Sequence, residues 1–283
     1  MQNSGFEDKY FRAIESTSLI GSMLKKGRPL VMAIMNTTPD SFYSGSRVSE
    51  QQHVLQRVKD LLNDGADIID IGGYSTRPGA KDISIQEEID RTSGIIQLIN
   101  GEFDTVISID TFRSAVAQEA LMNGAKIVND VSGFSQDDKI IDVVKEFDAD
   151  YILMHMRGTP STMQSLTDYV DIVEDILTYF KTKIDLIKQR GVEKVTIDPG
   201  FGFAKTIDQN HHLLQHFDRF HEIGLPVLAG LSRKSMIYKK LNITPEEALP
   251  GTIALNSVAL SKGAHILRVH DVKEAKNLVN LMH

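Results

Sequence analysis

The chain has 283 residues, 41% of them apolar and 24% charged, enough to bury one large core with an ordinary globular composition. It contains no cysteine, which excludes disulfides, thiolate nucleophiles and thiolate metal sites. A net charge of −7 argues against a non-specific nucleic-acid binder, which needs a basic face, but not against a small anionic ligand held by local charge.

No stretch approaches the run of about 18 apolar residues that crosses a bilayer. The N-terminal stretch MQNSGFEDKYFRAIES is polar and mixed in charge, without the apolar region of a secretion signal. A cytoplasmic protein is expected.

The predicted elements follow a repeated phrase of helix, turn, short apolar run and polar cluster. The first run, 30–35, leads into Asn36. Val54, Leu55, Val58, Leu61 and Leu62 then keep helical spacing before the second run, 68–71, which contains Asp70. Ser84 and Glu87 carry the signature of a capping box ahead of the third run, 106–109, which ends at Asp110. The fourth, 126–128, leads into Asn129-Asp130, and the fifth, 151–154, into His155. Val170, Val173, Leu177 and Phe180 mark a loosely amphipathic helix before the sixth run, 195–197, which leads into Asp198. His211 and His212 fall on a helix start and read as surface residues. The seventh run, 227–231, precedes Ser232-Arg233-Lys234, and Thr244-Pro245-Glu246-Glu247 places proline in a first helical turn. The eighth, 266–269, holds Arg268 and precedes His270-Asp271. Glycines in NDGAD, MNGAK, KQRGVEK and SKGAH suit the left-handed residue that ends a helix.

Eight short strands alternating with helices predict a parallel sheet. A closed barrel and an open doubly wound sheet both fit. The count of eight and the lack of a GxGxxG nucleotide fingerprint favour a single-domain (β/α)8 TIM barrel. It is expected over residues 29–283, with residues 1–28 as an N-terminal extension packed on it.

In such a barrel the residues after the runs share one rim, the C-terminal face where active sites are built. One aspartate at a strand end is more often a helix cap than a catalyst. Eight polar ends in a row, with carboxylates, amides and cations all represented, are harder to explain by capping. Arg233, Lys234, Arg268 and His270 gather on the last two strands, while Asp110 and Asp198 would meet them across the mouth. A ligand with an anionic end and a donor-rich ring would satisfy both halves. Plainer roles stand beside these. Asp110 could cap a helix, Asn129 could satisfy a turn, and Asp198 precedes the turn signal Pro-Gly-Phe-Gly. Met154 with Met156 could be core packing, and His155 reads as a satisfied structural histidine.

Eight blocks in order resemble the dihydropteroate synthases. They are IMNTTPDSF (34–42), GADIIDIGGYSTRPGA (65–80), ISIDTFR (107–113), KIVNDVSG (126–133), ILMHMRG (152–158), TIDPGFGF (196–203), LAGLSRKS (228–235) and ILRVHDV (266–272). The resemblance implies a (β/α)8 barrel, a transferase of folate biosynthesis. It would join 6-hydroxymethyl-7,8-dihydropterin diphosphate to p-aminobenzoate with release of pyrophosphate. It implies a pterin site of Asp110, Asn129, Met154, Asp198 and Lys234. The diphosphate site would be Asn36, Thr76, Arg268 and His270, with Mg²⁺ coordinated through Asn36. Thr76, Arg77, Phe203, Lys234 and Ser235 would form the aminobenzoate pocket, Ser235 at a helix start. Asp110, Lys234, Arg268 and His270 would carry the chemistry. A homodimer and competition by sulfonamides are implied in the same way, with no nucleic-acid or membrane partner.

Two loops depart from the family pattern. Tyr74 stands where the second loop usually has glutamate, and Tyr43-Ser44-Gly45-Ser46 lacks an aspartate usual in the first. A pterin-dependent methyltransferase is the nearest rival, but it needs no diphosphate site and none of the Ser-Thr-Arg-Pro loop. A silent pterin-binding protein of the same fold would be free to lose several of the named residues. A Schiff-base aldolase acting through Lys234 explains the neighbouring cations less well.

Overall fold

The structure, a computed structural model, describes residues 18–37, 47–75 and 82–283, with the side chains of 47–50 excepted. Thr76, Arg77 and the segment Tyr43-Ser44-Gly45-Ser46 lie outside the described residues, as do the first seventeen.

The eight strands are β1 (Leu30–Asn36), β2 (Ile68–Gly72), β3 (Val106–Asp110), β4 (Ile127–Asp130), β5 (Asp150–Met154), β6 (Val195–Asp198), β7 (Leu228–Ala229) and β8 (Ile266–Val269). All pair in parallel in the order β6-β5-β4-β3-β2-β1-β8-β7. A parallel bridge between Ile197 and Val227 joins the two ends and closes the barrel. The expected strands therefore form within a residue or two of their predicted limits, except that only two residues of the seventh run pair as a strand.

Around the barrel run α2 (Arg47–Asn63), α3 (Ile85–Glu102), α4 (Ser114–Met122), α5 (Ile140–Glu146), α6 (Ile172–Gln189), α7 (Ile207–Gln215), α8 (Ser235–Leu241), α9 (Leu249–Ser261) and α10 (Val272–Met282). A short α1 (Leu19–Leu24) precedes β1. The glycines expected to end helices do so: Gly65, Gly124, Gly191 and Gly263 all have positive φ, where a side chain would strain the backbone.

Alternation along each strand sorts the side chains into two sets. Val31, Ala33, Ile69, Ile71 and Val128 face outward into the large core shared with the helices. Leu30, Met32, Ile68, Ile127, Ile152 and Ile266 face inward and fill the lower barrel. Ile20 and Leu24 of α1, both buried, join that inner cluster as a plug. Each such side chain taken out of water contributes about 1.5–3 kcal/mol. Asp150 seats the plug by accepting hydrogen bonds from the first backbone N–H groups of α1, Leu19 at 3.0 Å and Ile20 at 2.8 Å.

Three local expectations need correction. The Ser84 hydroxyl caps α3 through the Glu87 N–H, but the Glu87 side chain binds Arg91 instead of returning, so the box is half made. The complete box is Thr206 with Gln209, at the start of α7. Val170 is fully exposed and precedes α6; Asp171 caps that helix by accepting from Val173 and Glu174 N–H, which stops the helical pattern short of Val170. His211 and His212 lie within α7, not at its start, and His211 is half-buried with Nε2 3.1 Å from the Met236 carbonyl oxygen. Pro245 precedes a single 3-10 turn, Glu246–Ala248, that leads into α9.

Candidate active site

Continuing the inward alternation upward turns the barrel interior from apolar to polar. Above Ile68 come Asp70 and Gly72, above Ile127 comes Asn129, above Ile152 comes Met154, and above Ile266 comes Arg268. Strand pleating thus turns each of these residues to the inward side, toward the C-terminal end.

Arg268 is the hub. Its Nε donates to Asp70 Oδ2 at 2.6 Å and its Nη2 to Asp110 Oδ2 at 2.5 Å. Asn129 Nδ2 donates to the same Asp70 oxygen at 3.1 Å. Burial works against the Arg268 charge, but the two carboxylates outweigh it and hold its pKa above the usual value. Burial raises the Asp110 pKa; Arg268 opposes the rise, and Asp70 adds to it. Asp110 does not cap α4; the first N–H of that helix, on Ser114, donates to Asp137 Oδ2 at 2.7 Å. Asn129 spends its N–H on Asp70 and not on a turn. Asp198 uses its two oxygens differently. Its Oδ1 accepts the Gly200 N–H at 2.7 Å, closing the turn. Its Oδ2 faces the space beside Gly230, where a methyl would sit 3.9 Å from it and 3.6 Å from Lys234 Nζ.

Lys234 donates to the Phe201 carbonyl, and its Nζ stands 5.0 Å from the centre of the Phe203 ring. Burial lowers its pKa to about 8, despite the upward pull of Asp198. Ser235 opens α8, as expected. His270 is oriented by Ser232: the hydroxyl accepts the His270 backbone N–H at 3.2 Å and lies 3.0 Å from its Nδ1. That contact fixes the plane of the ring, and the hydroxyl serves Nδ1 as donor or acceptor according to the tautomer. Asn36 ends β1 exposed. A methyl on Gly72 would be 3.8 Å from Asn36 Oδ1 and 3.7 Å from Asp110 Oδ2, so glycine leaves the space between those oxygens open.

Arg233 departs from the sequence expectation. It forms a bidentate pair with Asp271, Nε to Oδ2 at 2.9 Å and Nη2 to Oδ1 at 2.7 Å. Its Nη1 donates to the Pro245 and Glu246 carbonyls, 3.2 Å each. Its fork is spent on Asp271, just before α10, and on the loop before α9, so it is not one of the mouth cations.

Beside the polar cluster lies an apolar shelf: Phe112, Val131, Met154, Met156 and Met163, with Tyr74 and Phe203 against it. Met154 therefore packs in this shelf and not in the lower core. Tyr74 meets Phe112 edge to face at 5.1 Å, and the Arg113 guanidinium lies 5.0 Å from the Tyr74 ring centre.

Three contributors went unassigned in the sequence. Asp70 was visible as a carboxylate inside an apolar strand, the same signal that singled out Arg268. Ser232 was placed on the rim by its position after the seventh run, but nothing local tied it to His270. Lys205 is buried and its Nζ meets the Gly200 carbonyl at 2.8 Å, the Phe203 carbonyl at 2.9 Å and His155 Nδ1 at 3.1 Å. Burial lowers the pKa of both Lys205 and His155. His155 is a packing and hydrogen-bonding residue, its ring edge-on to Tyr179 at 4.8 Å. The loop that Lys205 gathers needs Gly200, where a Cβ would fall 2.1 Å from the His155 carbonyl oxygen.

A closed parallel barrel with acceptors and cations from seven strand ends at its C-terminal mouth is a (β/α)8-barrel enzyme. A family model described as pterin binding enzyme matches residues 32–270. A dihydropteroate synthase of Synechocystis sp. is 46% identical over 249 residues, which cover 87% of this chain and 86% of that protein. A solved Yersinia pestis dihydropteroate synthase in complex with a sulfonamide drug has a TM-score of 0.84 and 39% identity, over 90% of this chain and 93% of that one. One from Clostridium difficile, solved in the presence of pteroic acid, has a TM-score of 0.84 and 39% identity, over 90% and 95%. The chain belongs to the dihydropteroate synthases of the pterin binding enzyme family, and is a transferase.

Proposed function

We propose that this chain condenses 6-hydroxymethyl-7,8-dihydropterin diphosphate with p-aminobenzoate, giving 7,8-dihydropteroate and pyrophosphate. The observation that carries the reading is the set of acceptors on Asp110, Asn129 and Asp198, gathered opposite Lys234 and Arg268 in one mouth. Acceptors from three strands suit the donor-rich edge of a pterin, and Lys234 suits its carbonyl. Met154 would pack on the ring. Arg268, His270, Asn36 and Thr76 would take the diphosphate. Phe203, Lys234, Ser235, Thr76 and Arg77 would line the aminobenzoate pocket; the C. difficile and Y. pestis relatives, solved with pteroic acid and a sulfonamide, support such a pocket.

The exocyclic C–O bond breaks and its electron pair leaves with pyrophosphate. Arg268 and His270 stabilise the charge growing on that group. The electron-rich ring stabilises the carbon left behind, with Asp110 adding a negative charge beside it. The amine lone pair then forms the C–N bond, and the nitrogen releases one proton to water. An aromatic amine is a weak nucleophile, so capture of a cation suits it better than direct displacement, and no covalent enzyme intermediate is required. A pterinyl adduct trapped on Lys234 would overturn this route.

Mg²⁺ fits the residues present. Among the described residues no group of three His, Asp or Glu side chains could cage a metal. An exposed amide oxygen on Asn36 suits an ion held mostly by water and substrate phosphates. Bound there, it would neutralise charge on the leaving diphosphate.

A barrel over residues 29–283, with the preceding residues packed on it, completes the reading, supported by the contacts of α1 with the inner cluster. So does a cytoplasmic homodimer, on the precedent of the family. Among the described residues no helix is long and apolar enough to cross a membrane.

The test is pyrophosphate release from dihydropterin diphosphate and Mg²⁺, with and without p-aminobenzoate. Amine-dependent release, with dihydropteroate as product and competition by sulfonamides, is expected. Tight pterin binding without turnover would bring the methyltransferase and the silent binder forward.

A further inference from the structure

Asp70 lies on β2, points into the barrel and is 0% exposed. A carboxylate in such a place is costly unless it is paired and hydrogen-bonded. Its Oδ2 meets both Arg268 Nε, at 2.6 Å, and Asn129 Nδ2, at 3.1 Å. Its Oδ1 accepts no hydrogen bond among the described residues. One oxygen therefore touches β4 and β8 together, at two residues assigned to opposite ends of the same substrate.

We infer that Asp70 is a positioning residue for the pterin end of the substrate, acting through Asn129 and Arg268. The inference rests on the proposed function and deepens it. With full burial, Asp70 has no access to substrate and acts only through these neighbours.

The Asn129 amide has one carbonyl and one NH₂ group, and Asp70 decides which way they face. With Nδ2 on Asp70, Oδ1 is left for the ligand, and Asn129 joins Asp110 and Asp198 as an acceptor. A flipped amide would set its oxygen against Asp70 Oδ2, acceptor against acceptor.

Arg268 has two carboxylates, one deep and one at the mouth. When the pterin N–H groups claim Asp110, the guanidinium keeps its countercharge in Asp70 and stays aimed at the diphosphate. Without Asp70, Asp110 would be the remaining carboxylate on Arg268, and the pterin would have to break that pair in order to bind.

Asp70→Asn preserves shape and removes the charge. It should raise the KM for dihydropterin diphosphate about tenfold, the scale of one charge-assisted hydrogen bond, and leave the KM for p-aminobenzoate within about twofold. Asn129→Asp places a carboxylate where Asp70 requires an N–H, and should lose pterin affinity more severely. Adding Asp70→Asn to Asn129→Asp should then recover affinity, so one substitution harms the natural background and helps the other. That reversal remains readable if Asp70→Asn alone does not fold. An unchanged pterin KM in Asp70→Asn would overturn the inference. So would an equal rise in both KM values with a lowered Tm, or a double variant worse than Asn129→Asp. Wild-type turnover and calorimetric binding of dihydropterin diphosphate are run beside them. A wild type that binds without turnover overturns the proposed function, and the binding titrations still decide the role of Asp70.

Discussion

Arg268 donates through Nη2 to Asp110 Oδ2 at 2.5 Å, so the cation assigned to the diphosphate and the carboxylate assigned to the pterin are one ion pair. Substitutions that break one pair are not independent. Arg268→Ala and Asp110→Asn should each lower kcat/KM by about 10²–10³, the usual loss for an electrostatic contact to a developing charge. The double variant should lose far less than the product of the two. Strict multiplication in a double-mutant cycle would mean the pair is incidental to catalysis.

The pH profile should be a narrow bell. Burial raises the Asp110 pKa, so its carboxylate is lost on modest acidification and kcat/KM falls on the acid side. Burial lowers the Lys234 pKa to about 8, so its ammonium is lost as pH rises past that value and kcat/KM falls on the alkaline side. Lys234→Arg keeps the cation at all accessible pH and should move the alkaline limb upward. An alkaline limb unmoved in that variant would assign it to another group.

Lys205 gathers the turn after β6. Replacing it by methionine leaves the Gly200 and Phe203 carbonyls and His155 Nδ1 without this donor. The cost should be about 2–4 kcal/mol, the sum expected for buried acceptors left unmade. Denaturant titration measures it, and the KM for p-aminobenzoate should rise as Phe203 loses its seat. A stability within about 0.5 kcal/mol of wild type, the spread of ordinary surface substitutions, would show that the loop holds itself.

Arg233 and Asp271 form a partly exposed pair away from the proposed chemistry. Asp271→Ala should cost about 1 kcal/mol or less in stability and leave the KM for dihydropterin diphosphate unchanged. Arg268→Ala would raise that KM sharply. Equal effects on substrate affinity would return Arg233 to the mouth.

Chelation should abolish turnover, and added Mg²⁺ should restore it. The Tm of the protein without substrate should hardly move, because an ion held through Asn36 and phosphate adds little to folding. A large drop in Tm on chelation would point instead to a metal caged by the protein.

The strands were legible in the chain because each is a short apolar run ending in a polar residue, and the helices because Val54, Val58 and Leu61 repeat at helical spacing and are buried. The misread positions share a cause. Val170 fits the helical pattern, but the Asp171 cap decides where α6 begins. The box at Ser84 matches in sequence, but Glu87 has a better partner in Arg91. Local pattern states what a residue can do, while competition among neighbours states what it does.

The sequence by itself determined the barrel, its direction and the rim on which Asp110, Asn129, Asp198, Lys234 and Arg268 stand, because strand pleating and helix period are local properties of the chain. Only the tertiary structure decided which of these residues pair. Asp70 and Arg268 lie 198 positions apart, and closing the barrel brings β2 and β8 to either side of β1. Arg233 and Lys234 are neighbours in sequence, yet one turns to Asp271 and the other to the Phe201 carbonyl. A buried charge takes the partner that geometry brings within reach, and that geometry exists once the barrel has closed.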